Sequence, residues 1–204
     1  MRFLVAVIAL LFPLFSSATK LTDYVHPWVG SSNFGTTNPG AVCPNGMMSV
    51  SPFNVTGSKK NKWDKDSRWW STPYTSDNCW FTGFSHVNLS GVGCPELGTI
   101  LTMPTSGELS TDYKLYGSEY TGEMAQPGYY ALKLSKYDIL AEVAATMRTS
   151  IERYTFRKGK AHIIVNLGQG LTNESGGFIR KISDTEIEGM RLCGGFCYHS
   201  QSVF

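Results

Sequence analysis

From Gly98 onward, short runs of β-branched and aromatic residues alternate with turn residues at intervals of roughly 8–12 positions. This spacing predicts an all-β fold, an antiparallel β-sandwich, and helix signals are almost absent. In the run from Ile139 to Ala145, every second residue is apolar, which predicts a half-buried strand. The predicted strands are Thr99–Met103, Tyr129–Leu134, Ile139–Thr146, Ser150–Phe156, Ala161–Leu167, Phe178–Ile182 and Glu186–Leu192.

Polar turns are predicted between these strands. The Arg157–Lys160 segment is expected to join its two flanking strands into a hairpin, and Asp184-Thr185 is expected to join the last two complete strands in the same way. The residues after Phe196 resemble the start of a further strand, with no turn or charged tail behind it. We therefore expect residues 19–204 to be one domain, truncated at its C-terminal end, at the front of a longer polypeptide.

Residues 26–97 have a different composition, with few strand patterns and many Gly, Pro, Asn and Ser residues. Trp63, Trp69, Trp70 and Trp80 lie close together in this segment. Aromatic rings stack on the apolar faces of sugars, and small polar side chains orient sugar hydroxyls, so these loops favour a carbohydrate site. The alternative is that the rings fill the space between a sheet and its loops.

The composition excludes several other functions. A chain of 204 residues with 42% hydrophobic and 17% charged residues is globular rather than disordered. Its formal net charge of +2 is too small to recruit nucleic acid or an anionic membrane. Gly168-Gln169-Gly170 is not followed by Lys and Ser or Thr, so nucleotide binding is not supported. A neutral partner is favoured.

Residues 1–18 are predicted to be a signal peptide. Arg2 precedes an apolar run from Phe3 to Phe15, and Ser16-Ser17-Ala18 supplies the small residues of a cleavage site. The run is too short to span about 30 Å of hydrocarbon, so a membrane anchor is the less favoured alternative. We expect an exported protein, periplasmic or extracellular, with no membrane span.

Five cysteines allow a disulfide or a metal site. Cys193 and Cys197 are four positions apart and His199 is nearby, which is compatible with zinc, but a structural zinc site needs a second ligand pair that the sequence lacks. In an exported protein a disulfide is favoured instead, although the pairing is left open, and buried free cysteines are a further alternative.

A series of short blocks then occurs in order along the chain: Asp23–Gly30, Asn38–Ala41, Pro44–Met47, Ser51-Pro52, Gly83–Gly93, Leu97–Pro104, Ser118-Glu119, Pro127–Tyr130 and Glu142–Arg148. Together they resemble the N-terminal part of glycoside hydrolase family 92, the exo-acting α-mannosidases. The Gly83–Gly93 block is similar to the most recognisable signature of that part. Asn38, Asn45 and Val87-Asn88 depart from the common pattern, which leaves the linkage preference open.

The resemblance implies a two-domain enzyme: an N-terminal β-sandwich, a C-terminal (α/α)6 barrel, and an active site between them. It also implies an inverting reaction on mannose-containing glycans that depends on calcium. The acid, the base and the calcium ligands are expected in the C-terminal domain, which this chain lacks. The residues themselves agree, because inversion needs two facing carboxylates and nothing in the sequence forces such a pair among Asp64, Asp66, Asp77, Glu96 and Glu119.

The candidate substrate-binding residues lie in the aromatic loops and in the Gly83–Gly93 block: Phe34, Gly35, Trp69, Trp70, His86 and Asn88. We expect no catalytic residue and no metal ligand in this chain. His86 has two interpretations. Its imidazole is suited to binding a sugar hydroxyl or positioning a carboxylate of the missing domain. Alternatively, together with Ser85 and Asn88, it satisfies the backbone of an irregular loop.

Three hypotheses follow for the function. The first is the substrate-shaping domain of an exported α-mannosidase, inactive without its catalytic domain. The second is a stand-alone carbohydrate-binding β-sandwich without catalysis, and the third is a purely structural sandwich. A continuation beyond Phe204 with helical segments and clustered carboxylates would favour the first.

Overall fold

The structure is a computed structural model that describes residues 19–33, 35–55, 70–171, 173–194, 197 and 201–204. Several predictions lie outside the described residues: the signal peptide, Phe34, Trp63, Trp69, Asp64, Asp66 and His199. The described helices are a 3-10 turn at Leu21–Tyr24 and one α-helical turn, α1 (Tyr113–Tyr116). No described helix is long and apolar enough to cross a membrane.

The described residues are mainly β-strands, and every pairing among them is antiparallel. The strands are β1 (Ala41–Val42), β2 (Ser49–Phe53), β3 (Trp80–Phe81), β4 (Gly83–Asn88), β5 (Leu97–Ser106), β6 (Ser118–Gln126), β7 (Tyr129–Leu134), β8 (Ile139–Ala145), β9 (Ser150–Phe156), β10 (Ala161–Asn166), β11 (Asn173–Lys181), β12 (Ile187–Gly194) and β13 (Gln201–Val203). Sheet I has the order β1-β2-β4-β5-β10, sheet II the order β3-β6-β7-β8-β9, and sheet III the order β11-β12-β13.

Sheets I and II pack face to face and enclose the main core. Phe84 and Met103 from sheet I meet Leu132 and Ile139 from sheet II, all fully buried. The alternation predicted for β8 is confirmed, since Ile139, Ala141, Val143 and Ala145 are buried while Leu140 is exposed. The prediction of an antiparallel β-sandwich is therefore confirmed.

The two predicted turns have different outcomes. Asp184-Thr185 does join two paired strands, because β11 pairs with β12. The Arg157–Lys160 hairpin is wrong: β9 pairs with β8 in sheet II, whereas β10 pairs with β5 in sheet I. This polar segment carries the chain from one layer of the sandwich to the other, and a turn of that kind has the same polar composition as a hairpin turn.

Residues 26–97 contain more strands than the sequence predicts. All five residues of β2 are buried, so no alternation marks the strand. The Gly83–Asn88 block, predicted to be an irregular loop, is strand β4 at the centre of sheet I, between β2 and β5. β4 consists largely of small and polar residues, and β2 is short and buried on both faces, so neither strand has an alternating pattern.

A disulfide connects sheet III to the rest of the fold. Cys94, in the loop between β4 and β5, is bonded to Cys197, between β12 and β13, with a Cα–Cα distance of 6.1 Å. The expectation of a disulfide is confirmed. The bond consumes Cys197, and the described residues contain no group of three or more side chains that could hold a metal ion.

We predict that Phe84→Ala lowers the free energy of unfolding by about 3–5 kcal/mol, because the ring fills the space between the sheets. Its centroid lies 4.9 Å from that of Phe81 and 6.1 Å from that of Tyr130. The matched control is Phe178→Ala, at an exposed position of β11, with an expected change within about 0.5 kcal/mol. Urea denaturation measures the free energy of unfolding of both variants. Equal losses for Phe84→Ala and Phe178→Ala would contradict the location of the core between sheets I and II.

Candidate functional site

Three loops meet and form what we call the loop cluster: residues 26–33 with 35–40, residues 70–79 and residues 89–96. The amide of Ser76 donates to the carbonyl of Ser31 at 2.8 Å, which joins the first two loops. The amide of Gly91 donates to the carbonyl of Thr36 at 2.8 Å, which joins the third loop to the first. Because the loops satisfy one another's backbone groups, they form one connected surface.

Gly35 is required by the backbone of the first loop. A Cβ atom at this position would lie 1.7 Å from the carbonyl oxygen of Gly30, so no larger residue fits. Its amide donates to the carbonyl of Ser32 at 2.8 Å. This contact explains the glycine without a ligand, and the predicted approach of Gly35 to a sugar stays a prediction.

The third loop is anchored at its C-terminal end. Cys94 is held by the disulfide, and the fully buried carboxylate of Glu96 accepts a hydrogen bond from the amide of Cys197 at 2.7 Å. The disulfide and the buried hydrogen bond both attach the end of the loop to Cys197. The loop is therefore held at both ends, by β4 at its start and by Cys197 at its end.

Asn88, at the start of the third loop, uses its side chain inside the fold. Its Nδ2 donates to the carbonyls of Ser49 at 2.7 Å and Ser85 at 3.0 Å. Its Oδ1 accepts from the hydroxyl of Ser85 at 2.8 Å. Both amide protons are therefore engaged. This arrangement matches the interpretation of Asn88 as a backbone-satisfying residue, and its sugar contact stays a prediction.

His86 is a half-buried residue of β4 with both ring nitrogens engaged. Nδ1 lies 2.7 Å from the carbonyl oxygen of Ile100, and Nε2 lies 2.8 Å from Oε1 of Glu152, on β9. The structure thus gives His86 one contact of each predicted kind, with a backbone carbonyl and with a carboxylate. The carboxylate, however, belongs to this chain. Binding of a sugar hydroxyl by His86 stays a prediction.

Trp70 was predicted to present a stacking face, and the structure places it in the interior. Its side chain is 4% exposed and belongs to a buried cluster with Phe53, Val55, Leu101 and Leu171. The apolar ends of β2 and β5 need a cover, and the indole provides it. The expected exposure of Trp70 is therefore wrong, and the space-filling alternative applies to this ring.

Trp28 is the exposed indole of the loop cluster, and it is not among the predicted substrate-binding residues. Its side chain is 38% exposed, and its ring centroid lies 6.2 Å from that of Tyr74 and 6.4 Å from that of Tyr130. One contact is tilted and the other is edge-on, so the two tyrosines hold the indole against the fold while more than a third of the residue stays accessible. Trp28 lies in the Asp23–Gly30 block, whose resemblance to the family is the signal that could have identified it; the cluster of tryptophans from Trp63 to Trp80 lies elsewhere in the sequence.

A half-buried carboxylate, that of Glu123, fixes the two tyrosines that support Trp28. The hydroxyl of Tyr74 donates to Oε1 of Glu123 at 3.0 Å, and the hydroxyl of Tyr130 donates to the same oxygen. Burial raises the pKa of Glu123 above its ordinary value of 4.5, against the opposing effect of the two hydrogen bonds. Burial also raises the pKa of Tyr130 well above 10, so both hydroxyls remain donors.

We predict that Glu123→Gln stabilises the fold relative to wild type as the pH rises. A raised folded-state pKa contributes stability that is fully present below the unfolded pKa near 4.5 and is lost as the pH rises through the folded value. E123Q has no such loss, so its melting temperature relative to wild type should increase from about pH 4.5 to about pH 8.

The control is Glu142→Gln. Hydrogen bonding to Arg153 lowers the pKa of Glu142, so that substitution should give no such increase. A pH-independent difference between E123Q and wild type would contradict the assignment of a raised pKa to Glu123.

Comparison with known proteins places this geometry in a family. Residues 24–204 match the model of the glycosyl hydrolase family 92 N-terminal domain. A solved family 92 α-mannosidase of Bacteroides thetaiotaomicron is 31% identical with a TM-score of 0.78, covering 90% of this chain and 25% of that one. A structure in complex with mannoimidazole, described as the same enzyme, gives 30% identity, a TM-score of 0.77 and coverages of 90% and 24%.

A curated relative gives a consistent result. It is described as an uncharacterized secreted glycosidase of Arthroderma benhamiae, and it is 28% identical over 150 residues, which are 68% of this chain and 18% of that protein. The chain thus spans about a quarter or less of the length of these relatives. The resemblance read from the sequence is confirmed: this chain belongs to glycosyl hydrolase family 92, in the family's N-terminal domain.

Proposed function

We propose that this chain is the substrate-shaping domain of an exported, calcium-dependent, inverting α-mannosidase that acts on mannose-containing glycans. The observation that carries the proposal is the loop cluster, in which the two family blocks that contain Gly30 and Gly91 are linked through the segment between them: Gly91 bonds Thr36, and the adjacent Thr37 bonds Gly30. Solved relatives of 30% and 31% identity are α-mannosidase structures, one of them with mannoimidazole. In the proposal, the loop cluster forms one wall of the mannose site.

The role of that wall is to orient a sugar ring. The exposed part of the Trp28 indole suits the apolar C–H face of a pyranose, and its contacts with two buried tyrosines keep the indole in place. The glycine backbone at Gly30 and Gly91 adopts positive φ values, 79° and 82°, which hold the loops in their turns. A rigid wall holds the substrate in the reactive orientation before the reaction begins. This lowers the entropic part of the activation barrier and so raises the rate.

The chemistry itself is assigned to the catalytic domain that the family resemblance implies. Inversion uses an acid and a base about 6.5–9.5 Å apart with a water between base and sugar. The buried or half-buried glutamates described above have partners within this chain: Glu152 bonds His86, Glu123 bonds two tyrosines, and Glu142 bonds Arg153. Among the described residues, no three His, Cys, Asp or Glu side chains are grouped so that they could hold a metal ion.

Two observations support export. The Cys94–Cys197 disulfide is of a kind that persists in oxidising compartments such as the periplasm or the extracellular space. The Arthroderma relative is described as secreted. Both agree with the leader predicted at residues 1–18 and with a periplasmic or extracellular site of action.

A second candidate is a carbohydrate-binding module without catalysis. The exposed face of Trp28 favours it, because a supported aromatic ring is sufficient for sugar binding alone. The two candidates differ in whether the polypeptide continues into a catalytic domain, and enzyme assays distinguish them directly.

We predict that the complete polypeptide containing this chain releases mannose from α-mannobiose, and that residues 19–204 alone release none. Chelation of calcium should abolish the release and added calcium should restore it. Proton NMR of the first turnovers should show β-mannose as the initial product, because inversion changes the anomeric configuration. Release of α-mannose would contradict inversion, and mannose release by residues 19–204 alone would contradict the division between the domains.

A further inference from the structure

The side chains of His86 and Glu152 connect the two main sheets. His86 lies on β4 of sheet I and Glu152 lies on β9, the edge strand of sheet II. The two side chains are each 14% exposed, and Nε2 of His86 lies 2.8 Å from Oε1 of Glu152. A close pair of titratable groups inside a sandwich is unusual, because burial of either charge alone is strongly unfavourable.

The hydrogen-bond partners define the protonation state of the pair. A carbonyl only accepts, so Nδ1 of His86, at 2.7 Å from the Ile100 carbonyl, carries a proton. The carboxylate of Glu152 accepts from the hydroxyl of Thr102 at 2.8 Å and from the hydroxyl of Tyr154. A carboxylate with these donors is ionised, and its third donor is then Nε2. The pair is therefore an imidazolium against a carboxylate.

The electrostatics agree with this geometry. Burial alone would lower the pKa of His86, but the hydrogen bond and charge of Glu152 outweigh it and raise that pKa above 6.5. Burial alone would raise the pKa of Glu152, but its hydrogen bonds and the charge of His86 lower it below 4.5. Both groups are thus charged between about pH 4.5 and 6.5. The imidazolium of His86 loses its proton as the pH rises through the pKa of His86.

The groups around His86 come from three elements. β5 supplies the carbonyl of Ile100 and the hydroxyl of Thr102, and β9 supplies Glu152 and Tyr154. β12 supplies Glu188, which lines a cavity of about 250 Å³ together with His86 and is paired with Arg180. Glu188 carries a compensating partner of its own, so Glu152 is the carboxylate that controls His86.

The backbone at the pair is strained. A β-bulge interrupts the pairing of β4 and β5 between Ser85 and His86. Val87 has a φ of 57° and Ile100 a φ of 55°, and β-branched residues rarely adopt positive values. Such conformations persist only where surrounding contacts hold them. His86 is next to Val87 in the chain and its ring is hydrogen-bonded to the carbonyl of Ile100. It is therefore placed to hold both residues in their positive-φ conformations.

The strained segment leads directly into the loop cluster. Asn88 follows Val87, and the third loop then reaches Gly91, whose amide is bonded to Thr36 in the first loop. A change in the bulge at His86 therefore moves the origin of the loop that completes the proposed mannose wall.

We propose that His86 and Glu152 are a positioning pair: their charged contact across the sandwich holds the strained end of β4 and thereby the 89–96 loop in its working place. This role rests on the proposed function for its effect on turnover. Neither residue needs to touch the sugar. When His86 loses its proton, the carboxylate faces a nitrogen lone pair, the contact becomes repulsive, and the loop is released.

Glu152→Gln tests the pair in the complete polypeptide. The first readout is the hydrogen-exchange protection factor of the Gly91 amide as a function of pH, which requires no activity. In wild type, protection should fall as the pH rises through the pKa of His86. In E152Q the partner charge is gone, so the fall should occur at lower pH, with protection at pH 6.5 reduced about tenfold. The matched control is Glu142→Gln on β8, which should leave unchanged both the pH at which protection falls and the protection factor at pH 6.5.

The second readout is the pH profile of kcat/KM on α-mannobiose. The alkaline limit of E152Q should move to lower pH in parallel with the Gly91 protection. If E152Q lowers the melting temperature while both pH profiles keep their wild-type form, the pair only holds the sheets together and the proposal is overturned. If wild type has no mannosidase activity at any pH, the proposed function fails, and the exchange profile still decides the positioning role.

Discussion

The packing of sheet I against sheet II is the constraint on which the rest of the structure depends. One face of each sheet contributes apolar residues to the main core, and burial of these two faces against each other fixes the relative positions of the strands. The loop cluster extends from the ends of these strands, at β1, β3, β4 and β5. The core therefore determines the shape of the loop cluster, although the exposed residues of the loop cluster are not part of that core.

Polar contacts then refine what the core has positioned. The loops bond one another through Ser31, Thr36, Ser76 and Gly91. Asn88 and His86, which the sequence suggests as sugar ligands, direct their polar atoms to neighbouring backbone and to Glu152. In the proposed enzyme, this chain contributes rigidity and an aromatic surface, while charge and proton transfer come from elsewhere.

The sequence predicts the strands whose two faces differ and fails for those whose faces do not. β9 matches its predicted bounds and β8 differs by one residue, because alternation there reports a more buried face and a more exposed face. β2 is buried on every residue and β4 consists largely of small and polar residues, so neither shows alternation. The partner of β10 depends on which layer the chain enters after Lys160, and local pattern carries no information about that choice.

The sequence predicts which segments form the candidate site, but it does not predict which of their residues are exposed there. The sequence blocks indicated loops that the structure brings together, yet burial separates Trp70 from Trp28, and burial depends on the distant strands that reach each ring. The same holds for His86. Its partner Glu152 is 66 residues away, on the other sheet, and no local motif links the two.

The central claim is that the loop cluster forms a wall of the mannose site, and Trp28→Ala in the complete polypeptide tests it most directly. The account predicts a loss of about tenfold in kcat/KM on α-mannobiose, since an aromatic stacking contact contributes about 1–1.5 kcal/mol. Trp28→Tyr should recover part of it, and Phe178→Ala should leave the rate unchanged. A wild-type rate for Trp28→Ala at an unchanged melting temperature would contradict the claim.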